Sequence, residues 1–393
     1  MRAAAHFKAA AIELTVLMPC LDEAKTVGLC VRKALEACRE AGIDAEVLVA
    51  DNGSRDGSPE LASAAGARVI QVAEKGYGAA LRAGIEAARG RFVVMGDADD
   101  SYEFQDVPRF LERLRAGDEL VMGSRFRGII HPGAMPFLHR FLGNPVLTWI
   151  LNLFFGAGIT DAHCGMRGFS RAAIRSLSLQ SAGMEFASEM VIRAAQEKLR
   201  IGEVPTSLKP DGRGRRPHLR TWRDGWRHLR FMLLFSPWWL FAVPGLGTMA
   251  VGLALTVAVG LTQVEIFGRV LHTHFALLGS ALAILGLQIT LLGMFAKAVF
   301  VLDGIGRSPG VERLLDGYRL ELALLAGAAV VCMGLGIDGR ILWLWVRTHG
   351  GQLDEAVTNL AIMGGTLLAL GVEVIFSAFF LSILKASRQR RWA

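Results

Sequence analysis

The sequence predicts an α/β domain, with a mostly parallel sheet and helices on both faces, followed by an all-α transmembrane domain of four helices. Three observations carry this. Short β-branched apolar runs alternate with alanine-rich helical patterns up to about Gly202, the rhythm of strands joined through crossover helices. A polar cluster rich in Asp and Gly follows each of those apolar runs. Beyond about Phe235 the chain holds four apolar stretches, each long enough to cross ~30 Å of hydrocarbon. Over 393 residues the chain is 52% hydrophobic, with mean hydropathy +0.38. That is too apolar for an ordinary soluble protein.

The strands are expected at 14–18 (LTVLM), 45–50 (AEVLVA), 67–72 (ARVIQV), 91–95 (RFVVM) and 119–123 (ELVMG). The helices between them are expected at 24–41, 59–65 and 79–89. Ligands of such sheets collect at the carboxyl ends of the strands. After a Pro/Gly loop flanked by His131 and His139, the apolar segment 141–155 is too short to span and is interrupted by Pro145. It reads as a helix resting on the membrane.

Between Lys198 and Arg230 stand ten Lys or Arg residues and three acids, an excess equal to the net charge of +7 of the whole chain. The pI of about 9.4 is therefore a local property, which argues against nucleic acid as the partner and for a membrane surface or a phosphorylated substrate. Pro217 is placed to start a helix. Arg220, Arg223, Arg227 and Arg230 recur at helical spacing beside an apolar stripe of Leu219, Trp222, Trp226, Leu229 and Leu233, the pattern of an interfacial helix. It reads either as a helix that only meets anionic headgroups or as part of a phosphate site. Arg213, Arg215 and Arg216, just before it, are the expected clamp for a phosphate presented at the membrane surface, which would be the acceptor phosphate if the chain transfers a group to it, since guanidinium binds phosphate through paired hydrogen bonds.

The spans are expected at 239–261, 275–302, 320–337 and 357–384. The third is the weakest, cut at its outer end by Asp338 and Arg340; Glu373 in the fourth must face a neighbouring helix or a polar cavity. Arg307, Arg313 and Arg319 lie in one loop, and Lys385, Arg388, Arg390 and Arg391 at the C-terminus. They outweigh Arg269, Arg340 and Arg347 on the opposite side. The bias places the first domain and both termini in the cytoplasm; the expected location is a bacterial inner membrane. The expected organisation is a soluble domain at 1–202, a basic linker and interfacial helix at 203–235, and the membrane domain at 236–393. No long apolar run precedes Glu13, so no signal peptide is expected. The five cysteines are scattered, with no C-x-x-C pair, which argues against a disulfide framework or a zinc site and fits a reducing compartment.

Five clusters follow the five strands: PCLDE (19–23), DNGSRDGS (51–58), EKGYGAALRAG (74–84), GDADD (96–100) and GSR (123–125). One such cluster is usually a turn; five at successive strand ends suggest one pocket. Asp97 and Asp99, one residue apart, suit a hard divalent cation, Mg2+ or Mn2+, that bridges carboxylates to a diphosphate.

PCLDE, DNGSRDGS, GYGAALRAG and GDADD, with GSRFRG (123–128), DAHCGMRGF (161–169) and GMEFASEM (183–190), resemble the family 2 glycosyltransferases of GT-A fold. Among these the chain is similar to the dolichyl- or polyprenyl-phosphate sugar synthases, over about residues 12–230. The resemblance implies transfer of a sugar from a nucleotide sugar, a UDP-sugar such as UDP-glucose favoured, to a polyprenyl or dolichyl phosphate lipid. It implies that Pro19, Leu21, Asp22, Glu23, Asp51, Lys75, Gly78, Asp97 and Ala98 bind the nucleotide sugar, with Asp51 reading the base. Asp97 and Asp99 would hold the Mg2+ or Mn2+. Arg125 and Arg167 would sit near the donor and acceptor phosphates, and Asp99, Arg125, Arg167 and Glu185 would carry the reaction.

Glu185 and Glu189 would lie near the sugar or support the site from a helix. Asp22 reads equally as the cap of the helix that follows it, and His163 and Cys164 as pocket wall or packing. The family often has Asn at Asp22, and mannose-transferring members commonly have Leu-Gln at Asp100-Ser101, which weakens mannose as the sugar. Transfer to a lipid hydroxyl stays open, with Asp99, Asp100 or Glu185 as base. So do a non-catalytic nucleotide-binding scaffold, a lipid-linked-sugar flippase and a homo-oligomer.

Overall fold

The computed structural model describes residues 12–212, 221–262, 265–266, 269–303 and 309–391. The chain falls into two compact units, Met1–Met232 and Leu233–Ala393.

The first unit is built on seven strands: β1 (Leu14–Cys20), β2 (Ala45–Asp51), β3 (Arg68–Gln71), β4 (Phe92–Met95), β5 (Leu120–Ser124), β6 (Arg167–Ser170) and β7 (Ile201–Pro205). Its helices are α1 (Val27–Glu40), α2 (Ser58–Ala64), α3 (Tyr77–Ala87), α4 (Val107–Arg115), α5 (Asn144–Phe155), α6 (Arg171–Ser176) and α7 (Phe186–Gln196). The sheet order is β3-β2-β1-β4-β6-β5-β7. Pairing is parallel except at β6, which runs antiparallel to both β4 and β5. The five expected strands are all present.

Alternation along β1 shows why both faces are covered. Leu14, Val16 and Met18 enter the core formed with Val27, Val31 and Ala34 of α1 and Phe110, Leu111 and Leu114 of α4. Leu17 points the other way, against Gly84 of α3, where a methyl group would collide with its side chain. Burying apolar surface on two faces is what holds a parallel sheet.

The reversal at β6 positions the site. The amino end of β6, and the loop before it, lie at the same edge as the carboxyl ends of β1, β2, β4 and β5. β7 crosses the expected boundary at Gly202: its alternating pattern pairs with β5 from Leu120↔Ile201 to Ser124↔Pro205, and the compact unit continues to Met232. Pro145 stands at the start of α5 rather than interrupting it, because the first helical turn needs no proline N–H. A π-helical turn, His139–Gly143, leads into it. α8 (Thr221–Phe235) runs from the first unit into the second; Pro217, Leu219 and Arg220 lie outside the described residues.

The second unit contains α9 (Val243–Leu261), α10 (Thr273–Leu302), α11 (Pro309–Gly317), α12 (Leu320–Arg347) and α13 (Glu355–Arg391). Among the described residues, four segments are long and apolar enough to cross a membrane: Trp238–Leu261, Thr273–Leu302, Leu320–Arg347 and Glu355–Ala386. The third does not stop at Ile337: α12 continues through Asp338 and Arg340, because in a helix the backbone satisfies itself whatever the side chains.

The spans pack through glycines seven residues apart. Gly245 and Gly252 of α9 meet Gly279 and Gly286 of α10, and Gly327 and Gly334 of α12 meet Gly364 and Gly371 of α13. Without a hydrophobic drive between helices in lipid, close backbone approach supplies the attraction. Glu373 meets Gln288 of α10, the neighbouring helix that its burial requires.

Candidate active site

The loops after β1, β2 and β3 are tied to one another. The Asp22 N–H donates to Ser54 Oγ at 2.8 Å, and Asp22 Oδ1 accepts the Arg55 N–H at 2.8 Å. Thr26, not Asp22, is the N-cap of α1, so Asp22 is a bridge between loops, held at φ +57°. The Glu23 N–H is held by Ser58 Oγ at 2.7 Å.

Asp51, 1% exposed, receives the N–H groups of Gly53 and Ser54 at 3.0 and 3.2 Å. Asn52 gathers the carbonyls of Val72 and Glu74 and the Gly76 N–H, and Lys75 Nζ donates to the Asn52 carbonyl at 2.6 Å. Pro19 is buried in β1, whereas Leu21 at its end is exposed.

At Gly78 the space beside Cα is taken by the Ser181 carbonyl, and at Gly76 by the Ala182 carbonyl. Expected as part of the nucleotide-sugar wall, Gly78 is in contact with this overlying chain. Segment 181–183 can pass so close only over residues without a Cβ. Glu189, 1% exposed, pins that segment by accepting the N–H groups of Gln180 and Ser181 at 3.1 and 2.8 Å. The result is a fixed α3 start, from which the Tyr77 hydroxyl donates to Asp97 Oδ1 at 2.9 Å.

Asp97 and Asp99 follow β4 at the sheet edge. Asp99 Oδ1 accepts Ser101 Oγ–H and N–H at 2.6 and 3.0 Å. Ala98 is buried, and its carbonyl accepts the Thr26 hydroxyl at 2.7 Å. Asp100, at φ +62°, pairs with Lys33 Nζ at 2.6 Å and so turns away from its neighbours. Gly165 packs against Asp97; a Cβ there would sit 2.5 Å from Oδ2.

No group of three or more His, Cys, Asp or Glu side chains able to hold a metal occurs among the described residues. The donor set is two oxygen carboxylates, which fits a hard cation that keeps substrate and water oxygens in its shell, as Mg2+ does. After β7 the chain runs back over this loop. The Lys209 N–H donates to the Ser101 carbonyl and the Gly212 N–H to the Asp99 carbonyl, each at 2.9 Å. Arg213, Arg215 and Arg216, expected at the acceptor phosphate, come directly after Gly212 and lie outside the described residues.

Arg125, at the end of β5, forms a two-pronged pair with Asp161. Nε and Nη2 donate at 2.7 and 2.8 Å, and its own N–H at 3.1 Å. Burial disfavours its charge, but Tyr102 and Asp161 outweigh that and hold its pKa above the ordinary value. Nη1 takes no part in the pair. Arg167 departs from the expectation. It is 0% exposed, and its guanidinium donates to the carbonyls of Cys164, Ala187 and Ala162 at 2.9, 2.6 and 3.0 Å. Burial lowers its pKa. Being the first residue of the reversed strand, it is enclosed by its own loop and α7 and organises them.

Glu185 stands at the N-cap of α7, half-buried, its carboxylate against Gly183. Cys164 is fully buried near Thr206. His228 of α8 accepts from or donates to Ser188 Oγ through Nδ1 at 2.8 Å and meets the His163 ring edge-on at 4.6 Å. Sequence reasoning missed Tyr77 and Asp161, although both stand inside stretches it singled out. Only the fold shows that Tyr77 orients Asp97 and that Asp161 fixes Arg125.

Residues 15–178 match the glycosyl transferase family 2 domain, and residues 294–385 the glycosyltransferase family 2 C-terminal transmembrane region. The chain is 37% identical over 372 residues to the low-salt glycan biosynthesis hexosyltransferase Agl6 of Haloferax volcanii, covering 94% of this chain and 89% of that one. It is 33% identical over 196 residues to the dolichyl-phosphate hexose transferase of Haloferax volcanii, covering 49% and 81%. Among solved structures, glucosyl-3-phosphoglycerate synthase from Mycobacterium tuberculosis, in complex with Mn2+, uridine-diphosphate and glucosyl-3-phosphoglycerate, is 22% identical. It covers 57% of this chain and 79% of that one, with a TM-score of 0.43.

Proposed function

The chain belongs to glycosyl transferase family 2, and from that membership we propose that it transfers a hexose from a nucleotide diphosphate sugar, preferably a UDP-sugar, to the phosphate of a polyprenyl or dolichyl lipid. The transfer inverts the anomeric carbon and takes place on the cytoplasmic face of the membrane. One observation carries the reading. The loop before β6 joins both halves of the chemistry: Asp161 fixes Arg125, and Gly165, four residues on, packs against Asp97. Two of the relatives, a glycan hexosyltransferase and a dolichyl-phosphate hexose transferase, support it.

Asp97 and Asp99 are the residues that would hold Mg2+ or Mn2+, with Tyr77 orienting Asp97. When bound, the cation stabilises charge on the departing diphosphate. The loops after β1 to β3 seat the nucleotide, with Asp51, Asn52 and Asp22 keeping their shape. Arg125 offers its remaining amino group to the acceptor phosphate and offsets repulsion between two anionic substrates. A phosphate monoester is mostly dianionic at neutral pH, its second pKa being about 6, so it attacks without a protein base. A hydroxyl lipid would need one. Asp100 is engaged by Lys33 and Asp99 by Ser101, which leaves Glu185 for that role. Arg167 acts by positioning the loop and α7. In this reading α5 and the turn before it rest in the membrane interface, where Leu142 of the turn and Val146, Trp149 and Leu153 of α5 recur at helical spacing and are 42–62% exposed.

The test uses purified protein in liposomes with Mg2+ or Mn2+ and a panel of UDP- and GDP-sugars, offering short polyprenyl phosphate, diacylglycerol or ceramide. Nucleotide diphosphate release and the mass of the lipid product are read. Turnover with the phosphate lipid alone, dependent on the cation, supports the reading. Turnover only with a hydroxyl lipid overturns the acceptor, and nucleotide binding without turnover favours a scaffold.

A further inference from the structure

We propose that His163 is a further substrate-binding residue of this site, whose imidazole N–H donates a hydrogen bond to the phosphate of the acceptor. The inference rests on the phosphate-acceptor reading above. Both ring nitrogens are buried, and neither has a hydrogen-bond partner among the described residues. Buried polar groups without partners are rare and costly, so an imidazole kept in this state calls for a partner that arrives from outside.

Its position says which partner. The His163 N–H donates at 3.2 Å to Asp161 Oδ1, the oxygen that also accepts Arg125 Nη2. Two residues further, Gly165 packs against the Asp97 carboxylate. His163 therefore stands on the loop between the residue that fixes Arg125 and the one that packs against Asp97, with its ring within the electrostatic reach of Arg125.

The ring is also fixed in advance. His228 packs against it edge-to-face, with an interplanar angle of 78°, and is itself held by Ser188. Burial, and then His228, Arg125, Arg167 and His139, press the His163 pKa well below its ordinary value. The ring is neutral and presents one N–H. A neutral donor beside Arg125 can bind a phosphate without taking its proton.

The alternative is a ring that only packs against His228. The experiment compares His163→Phe, which keeps a ring, with His163→Gln and His163→Asn, which keep a donor, in the full-length protein in liposomes. Initial rates are taken against short polyprenyl phosphate and, separately, against the nucleotide sugar, with melting temperature and UDP binding measured on every variant. His163→Phe is expected to raise the acceptor KM by about tenfold or more, the value of one hydrogen bond to a charged group. The donor KM and UDP binding stay within about twofold, and Gln or Asn recovers most of the loss.

An acceptor KM unmoved in His163→Phe overturns the proposal. So does an equal loss in Phe and Gln variants that melt like the wild type, or a loss confined to the donor KM. A failure of the underlying reading is seen separately, because the wild-type protein would then glycosylate a hydroxyl lipid and leave polyprenyl phosphate untouched.

Discussion

In the first unit, buried polar groups are frequent, and their positions are set by one another. Asp51 is satisfied by its own turn, Glu189 by two N–H groups, Arg125 by Asp161, and Arg167 by three carbonyls. In the second unit, helices meet backbone to backbone at Gly252 and Gly286, and again at Gly334 and Gly364. One unit is located by hydrogen bonds, which are directional, and the other by the absence of side-chain volume, which is not. Substitutions that change a polar atom without changing size should therefore be felt in the first unit. Substitutions that add size should be felt in the second.

The strongest test of that contrast is isosteric. Asp97→Asn or Asp99→Asn should lower kcat/KM by about 100–1000-fold, the scale for losing one charge-stabilising group, while the melting temperature moves little. Equal loss of melting stability would mean that these carboxylates serve the fold. Proton linkage comes next. Burial pushes His228 down to about 4, whereas an unfolded histidine titrates near ~6.5. Its neutral form thus contributes stability that is fully present above about pH 6.5 and is lost as the pH falls towards 4, up to about 3 kcal/mol. Denaturant unfolding at pH 7 and pH 4.5 should show a smaller difference in His228→Gln than in the wild type. An unchanged difference would remove His228 from the polar network.

Volume is tested at Gly252, where a Cβ would strike the Ala283 backbone. Gly252→Leu should destabilise the membrane unit by about 1–3 kcal/mol, seen as earlier thermal loss of helical signal in detergent. Tyr77→Phe removes one hydroxyl from Asp97 and should raise the Mg2+ or Mn2+ needed for half-maximal rate by about tenfold, as for outer-shell partners of metal ligands. Rescue of the rate by excess cation would sharpen the assignment of Tyr77 to positioning. The smallest effect is expected at Gly247, where an added Cβ would meet no other part of the described residues within 4 Å. Gly247→Ala should leave melting unchanged, and a large loss there would break the volume rule.

Legibility in the sequence followed the same division. β1 to β5 and the four spans announce themselves through period-two alternation and uninterrupted apolar runs, because burial acts on residues close in the chain. β6 does not: RGFS is four residues long, and its reversal is visible only once it sits between β4 and β5. The boundary expected at Gly202 fell inside β7 for the same reason, since that strand is defined by β5, about eighty residues earlier. In the site, the carboxylates of GDADD and Arg125 of GSRFRG could be singled out by residue type and spacing. Tyr77, Asp161 and His163 could not, because what distinguishes each is a neighbour remote in sequence, Asp97, Arg125 and His228 respectively.

By itself the sequence determined the α/β class, the membrane spans and the carboxylate pair, because local periodicity, hydropathy and charge are properties of neighbouring residues. Tertiary structure alone decided how the two arginines of these motifs are engaged. Arg125 and Arg167 are indistinguishable as residues, yet the antiparallel turn of β6 buries Arg167 among carbonyls. It also carries Asp161 to Arg125, which keeps one edge of that guanidinium clear of the pair. A charged group is committed to the fold or held for a substrate according to which partners the chain brings within hydrogen-bond reach.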